Sequence, residues 1–308
     1  MSFQLIRPDV NIDFVGKRRF FVLLSTAINI AAIILLLSKG LNYGVDFNGG
    51  TVVQLRVNHA TSADDLRRAL APLNLGEITV QDFGGNGQYL MRFEKLSNLK
   101  GFTELLDNAL AKAYGQNVVE VLRVESVGAR VGRELRFDAI AAVAAATIFM
   151  GAFIALQFRN VSWSFGAGAV IALVHDILVV VGALVISQLQ FDLTTLAALL
   201  TVIGYSVHDT IIVSDRIRED ALKRRREALP EIMNRAINET LSRTILTSGV
   251  AIVVLIALLA LGGPILRPSA FTLLVGFITG TYSSIYIAGP VVLFWERRVK
   301  IKALPRAA

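Results

Sequence analysis

Charged side chains inside long apolar runs are the residues of this sequence best placed to do chemistry. His175 and Asp176 stand together within one run, and His208 and Asp209 within the next. Thr201, Tyr205, His208 and Asp209 fall at offsets of 0, 4, 7 and 8, which puts them along one face of a helix. Asp209 precedes the charge at Asp215 by six residues, which at helical rise sets it roughly 9 Å inside the apolar region. A charge at such a depth costs at least ~2.5–3.5 kcal/mol to insert and needs a reason to be there. One reason is proton binding. Desolvation favours a protonated carboxyl and a nearby cation favours the ionised one, so moving between two such settings takes up a proton on one side and releases it on the other. The other reason is hydrogen bonding that joins neighbouring helices. Both stay open for Asp209, and for His175 and Asp176 the structural reason is the stronger. Arg243, just ahead of the fifth apolar run, can reach inward toward Asp209 or snorkel outward to lipid headgroups. Its place in the sequence favours snorkelling.

The elements that must position these groups are membrane spans. The chain is 54% hydrophobic with a mean hydropathy of +0.58, above what soluble domains carry. The excess comes in six runs, 20–37, 137–158, 161–187, 191–214, 244–262 and 268–295. Each is long enough to cross a ~30 Å hydrocarbon layer as a helix, which satisfies its own backbone. An even number of spans puts both termini on one side. That side holds Arg7 and Lys17–Arg19 in the segment 1–19, then Arg159, then eight basic residues from Arg216 to Arg243, then five in the tail 296–308. The positive-inside rule makes it cytoplasmic. The net charge of +7 therefore reads as topology or contact with anionic lipid, and no nucleic-acid partner is expected. The segment 215–243 reads as amphipathic, with Ile232, Met233, Ala236, Ile237, Thr240 and Leu241 on the side expected to lie in the membrane interface. Small residues such as Gly276, Gly280, Ser283 and Gly289 suit the sixth span to close packing, and Pro290 is expected to kink it. The basic cluster before the first span, with no small-x-small pattern after it, reads as an uncleaved signal anchor.

Residues 38–136 separate the first two spans on the outer side. They read as strand Thr51–Val57, a helix capped by Ser62, strand Glu77–Phe83, a turn at Gly84–Gly87, strand Gln88–Phe93, a helix from Asn98 to Tyr114, and strand Val118–Ser126. The order β-α-β-β-α-β is that of a ferredoxin-like module. With no cysteine, thiolate chemistry and cysteine metal sites are excluded. No nucleophile–base pattern and no phosphate loop stand out, so no catalytic residue, metal or cofactor is expected. The domain reads as a protein-binding or moving part, or as a plug that only steadies the spans.

Several stretches resemble the SecD/SecF family of protein-export membrane proteins, relatives of the RND (resistance-nodulation-division) transporters. Gly44-Val45-Asp46-Phe47-Asn48-Gly49-Gly50-Thr51 resembles the family signature after the first span. Val127 to Leu135, with Gly128 and Gly132, resembles its approach to the second. Ala172-Leu173-Val174-His175-Asp176 resembles the third-span motif. Gly204-Tyr205-Ser206-Val207-His208-Asp209-Thr210, continuing through Asp215 and Arg216, resembles the fourth-span motif. Thr240 to Thr244 and Gly262-Gly263-Pro264 also fit. A single outer domain matches the SecF branch rather than the SecD branch. The resemblance implies a six-span half of an RND-type architecture in the bacterial inner membrane, with both termini cytoplasmic and 38–136 periplasmic. It implies pairing with SecD and association with the SecYEG channel, the SecA ATPase, YajC, YidC and unfolded preproteins. It implies late-stage translocation driven by the proton-motive force, with Asp209 and Arg243 on motif positions linked to proton passage, which replaces the snorkelling expectation for Arg243 with one turned toward Asp209. His208 stands where the family usually has Asn; it either keeps that residue's hydrogen bond or, titrating near neutrality, joins the proton path. The rival expectations are a small-molecule half-transporter and a purely structural scaffold.

Overall fold

The computed structural model describes residues 11–58, 61–73, 78–83, 87–93, 101–115, 118–159, 162–224 and 226–296. The chain divides into two compact units, one spanning Tyr43–Ile140 and the other formed by the residues on either side of it.

The unit Tyr43–Ile140 opens with a short helix, which we label α2, Val45–Asn48, followed by β1, Gly50–Val57. Then come α3 Ala63–Leu70, β2 Ile78–Asp82, β3 Gln88–Phe93, α4 Phe102–Tyr114 and β4 Val119–Val127. The strands form one antiparallel sheet in the order β2-β3-β1-β4. This is the ferredoxin-like order that the alternation predicts. Thr51, Val53, Leu55 and Val57 of β1 all point to the buried face. Across from them, Phe93, Met91 and Tyr89 keep the same face in register with Thr51, Val53 and Leu55. Leu66 and Leu70 of α3 and Leu106 and Leu110 of α4 cover that face and are fully buried, each contributing about 1.5–3 kcal/mol. The turn at 84–86 and Asn98 lie outside the described residues; α4 starts at Phe102, after Gly101 at φ +84°.

Ser62 caps α3 as its position predicts. Its hydroxyl accepts the Asp65 amide at 3.2 Å, and the Asp65 carboxylate accepts the Ser62 amide at 3.1 Å. The Ser62 hydroxyl, 2.7 Å from Asp65 Oδ2, and the Ser62 amide, joined by Arg68, hold the Asp65 carboxyl below the usual carboxylate range. The depressed value stabilises the folded state above the unfolded carboxylate range, and the contribution is lost as pH falls through the lowered folded value. Ser62→Ala is expected to cost about 1 kcal/mol. Hydrogen exchange of the α3 amides should speed up in the variant, and the difference from wild type should shrink in acid.

The other unit holds the spans apart from residues 129–140, which open α5. Among the described residues, six helical segments are long and apolar enough to cross a membrane, at mean hydropathies of 1.4 to 2.7. They are α1 Arg18–Lys39, α5 Ala129–Gln157, α6 Ser164–Ser187, α7 Leu193–Lys223, α8 Leu229–Leu261, and the segment Ile265–Trp295. The last is built from α9 Gly263–Ser283, a π-helical turn Ser284–Ala288 and α10 Gly289–Glu296. Pro290 accounts for the wide turn, because it has no N–H to donate and its ring crowds the carbonyl four residues back. Helix α9 lies against α6, α7 and α8. The approach to α7 is close: a Cβ on Gly276 would meet the Val202 side chain at 2.1 Å, and one on Gly280 would meet Ser206 at 3.1 Å.

Helices outrun the apolar stretches that announce them. Helix α5 begins at Ala129 rather than 137, because Arg130, Arg133, Glu134 and Arg136 are helix formers although they are not lipid formers. The segment 215–243 is not one piece. Its first part finishes α7, laced by the ion pairs Arg218–Asp215 (2.8 Å), Arg216–Glu219 (2.6 Å) and Lys223–Glu219 (2.5 Å). Its last part opens α8, with Pro in the first turn. The apolar side Ile232, Met233, Ala236, Ile237 and Leu241 is buried against protein, together with Ile217, Phe14 and Val15. The segment before α1 is held there by α8: Asn238 both accepts the Ile12 amide (2.8 Å) and donates to its carbonyl (2.9 Å), and Asn234 accepts the Phe14 amide (2.9 Å).

Candidate functional site

Helix α7 starts at a side-chain cap, Asp192, whose carboxylate accepts the Thr195 amide at 2.7 Å. From there its period turns Val202, Ser206, Asp209 and Thr210 inward. The Asp209 side chain is 1% exposed. Its Oδ2 accepts from the Thr281 hydroxyl of α9 at 3.2 Å and from the Ser248 hydroxyl of α8 at 3.5 Å. Ser248 Oγ also lies 2.8 Å from Thr281 Oγ1, so the single proton of one of these hydroxyls is given either to the other or to Asp209, and the Tyr205 hydroxyl donates to Ser248 at 2.9 Å. Tyr205 is stacked on Phe277, with ring centroids 3.7 Å apart. Three helices thus meet at one carboxylate. Its Oδ1 is buried and has no hydrogen-bond partner among the described residues. A buried carboxylate oxygen with no donor is costly when ionised, and protonating it removes the charge.

A second carboxylate lies on α6. Asp176, 1% exposed, accepts the hydroxyls of Ser206 on α7 (2.6 Å) and Ser283 on α9 (2.7 Å) on Oδ2, and faces His175 Nδ1 at 3.0 Å through Oδ1. His175 is itself 3% exposed.

Other residues predicted for the site sit elsewhere. His208 is exposed although Asp209 beside it is buried. Arg243 is exposed, and no ion pair joins it to Asp209 among the described residues. Gly204 is exposed, with no atom within 4 Å of where a Cβ would stand. Thr210 is buried and bonds the Ser206 carbonyl at 3.0 Å. Asp215 pairs with Arg218, while Arg216 joins Glu219 and, across to α8, Glu239.

The glycine-rich motif forms a joint of its own within the unit Tyr43–Ile140. Gly44 caps α2, and Asp46 falls in its first turn. Phe47 is 1% exposed, and its carbonyl accepts from Arg136 at 3.1 Å. Arg136 also donates to Asn48 at 2.7 Å and lies 4.2 Å over the Tyr43 ring. Gly49 sits at φ +74°, and a Cβ there would stand 2.7 Å from Ala129 Cα. A Cβ on Gly132 would stand 2.9 Å from the Gly49 nitrogen. Gly50 begins β1, and Thr51, fully buried, bonds Ser126 at 3.1 Å. The two motifs Gly44–Thr51 and Val127–Leu135 therefore meet backbone to backbone.

Sequence reasoning missed Ser248 and Thr281 as partners of Asp209. Hydroxyls inside helices usually bond their own backbone, as Thr201 and Thr279 do here, so nothing in the spacing marks these two.

The fold and the buried carboxylates define a polytopic membrane protein of RND-like transporter architecture with one ferredoxin-like domain. Residues 107–298 match the family described as protein export membrane protein SecD/SecF, C-terminal, and residues 34–61 match the SecD/SecF GG motif. The chain is 41% identical over 293 residues to the protein translocase subunit SecF of Calditerrivibrio nitroreducens, covering 94% of this chain and 95% of that one. It is 40% identical to the SecF of Desulfurispirillum indicum, covering 93% and 92%. Among solved structures it is similar to SecDF of Thermus thermophilus, with a TM-score of 0.84 at 34% identity over 96% of this chain. It is also similar to SecDF in a super-membrane-facing form, with a TM-score of 0.71 at 35% identity over 97% of this chain. The chain spans 40% of the length of those SecDF chains. The chain belongs to the SecF family of protein translocase subunits.

Proposed function

We propose that the chain is a non-enzymatic energy-coupling subunit that works with SecD to drive preproteins outward through SecYEG, using the proton-motive force after the SecA-dependent steps. The observation that carries this reading is the Asp209 carboxyl, buried where three spanning helices meet, with Oδ1 unpartnered. Protonation at Oδ1 makes the group neutral. Loss of the proton leaves an anion on α7 that Thr281, Ser248 and an incoming cation must accommodate. Arg243 supplies that cation from α8, five residues before Ser248. Its flexible stem lets the guanidinium leave the interface and approach Asp209. A carboxylate from SecD completes the set, and the exposed face of Gly204 and His208 is where SecD would lie. His208 keeps the hydrogen-bonding role of the usual Asn in this reading. YajC and YidC are expected neighbours of the assembly.

A membrane potential supplies about 2.3 kcal/mol per proton per 100 mV, enough to bias a two-state cycle. The two SecDF relatives match this chain at nearly equal identity and coverage but at TM-scores of 0.84 and 0.71, which supports a family with more than one arrangement. The basic residues of 1–19, 216–243 and 296–308 support cytoplasmic termini and a periplasmic domain. The second reading, a scaffold whose buried charges only join helices, draws on the hydroxyl contacts of Asp209 and the absence of an Arg243 ion pair among the described residues. Membrane vesicles with and without the chain separate the two. An imposed proton gradient should accelerate export only in vesicles that contain it. Equal acceleration in both favours the scaffold.

A further inference from the structure

The pair His175–Asp176 has no part in the cycle above, yet it is as deeply buried as Asp209. The hydroxyls on its carboxylate come from α7 and α9, two of the three helices that meet at Asp209. Ser206 precedes Asp209 by three residues on α7, one turn away on the same face. Ser283 follows Thr281, the α9 partner of Asp209, by two residues. We propose that Asp176 is a positioning residue for Asp209: through Ser206 and Ser283 it straps α7 to α9, and so sets whether Thr281 stays on the Asp209 carboxylate. The inference rests on Asp209 being the proton-responsive group.

The geometry suits a strap that can let go. Both hydroxyls converge on Oδ2 at 2.6 and 2.7 Å, short bonds of the kind a charged acceptor makes. Gly280 brings the two helices close at Ser206, so a slide of α7 along α9 strains both bonds together. Ser283 has a second acceptor within reach, the Gly280 carbonyl at 3.2 Å. A released Ser283 falls back to the bond that helical serines ordinarily make. It is also the last residue before the π-helical turn Ser284–Ala288, and such turns mark places where a helix changes register at functional sites. His175 turns Nδ1 to Asp176 at 3.0 Å. Beside the pair stands Tyr282 of α9, whose ring is 5.8 Å from His175 and 5.3 Å from Tyr286 of the π-helical turn, and the neighbouring helix α7 carries Tyr205 and Asp209. Helix α1 contributes a hydroxyl, Ser25, which is taken by Tyr282 at 2.7 Å. No Lys or Arg pairs with Asp176 among the described residues.

The test is the pH profile of gradient-driven export by the assembled complex in membrane vesicles, with the amount of complex measured alongside. Asp176→Asn weakens the strap by removing the charge. The double variant Ser206→Ala/Ser283→Ala removes both hydroxyls and keeps the carboxylate. Both are expected to lower export about tenfold at normal complex levels, the size of one lost charge-assisted hydrogen bond. Both should also move the midpoint of the profile by about half a pH unit or more. An unmoved midpoint in both variants, with export falling only in proportion to the complex present, overturns the inference. So does a midpoint that vanishes in Asp176→Asn and stays in the double variant, because Asp176 would then carry the proton itself. Undiminished gradient-driven export in Asp209→Asn overturns the reading of Asp209, and this inference with it.

Discussion

Asp209→Asn should abolish the acceleration of export by a proton gradient while leaving the chain in the membrane at its normal level. Asparagine has nearly the shape of aspartate and keeps an oxygen for the Thr281 and Ser248 hydroxyls, so the junction of α7, α8 and α9 can persist. What it lacks is a proton-binding site. If one proton passes through Asp209 per cycle, the variant forfeits a drive of about 2.3 kcal/mol per 100 mV, and export should fall to the rate seen without a gradient. That residual rate belongs to the ATP-dependent steps of a partner. Asp209→Ala is a poorer probe, since it also leaves two buried hydroxyls without their acceptor. Export assays at matched membrane levels, with and without a gradient, check the result.

Gly132→Val should loosen the joint between the glycine-rich motif and the start of α5. A Cβ at residue 132 would stand 2.9 Å from the Gly49 nitrogen and 3.0 Å from the Phe47 carbonyl oxygen. Those are backbone atoms, which cannot turn aside as a side chain can. Forcing them apart costs about 1–3 kcal/mol and pulls Phe47 and Asn48 away from Arg136. The amides of 45–51 should then exchange roughly ten- to a hundredfold faster in the full chain. Gly128→Ala is the matched control, because nothing lies within 4 Å of a Cβ there. Unchanged exchange at 45–51 in Gly132→Val would show that the close approach is not what holds the joint. Gly49 makes the same point from the other side: at φ +74° and ψ 171° it also occupies a region that is essentially glycine's alone and that other residues enter at a cost of about 1–3 kcal/mol.

The joint illustrates what sequence reading reaches and what it does not. The motif Gly44–Thr51 stands out as a pattern, but that its second glycine accommodates Ala129 follows only from the fold. The spans were legible because lipid demands long apolar helices. Their ends were not, because α5 and α7 continue through Arg130–Arg136 and Asp215–Lys223, where helix propensity and ion pairs sustain the helix without apolarity. The sheet order was legible from the alternation of strands and helices, since few topologies fit it. Asp176 and Asp209 declared themselves as charges in apolar runs. Their hydroxyl partners did not, since Ser206, Ser248, Thr281 and Ser283 look like any small helical residues until three helices are brought together. Arg243 lay at the edge of its apolar run, and the structure keeps its side chain exposed there.

The central claim is that Asp209 changes protonation during export. Infrared difference spectroscopy on the assembled complex in vesicles reads this directly, with the Asp209→Asn protein identifying the carboxyl signal. The account predicts a protonated-carboxyl band that belongs to Asp209 and changes when a proton gradient is imposed on vesicles engaged with a preprotein. An Asp209 signal that stays constant while the gradient accelerates export would contradict it, and the buried carboxylate would then be a tie between helices.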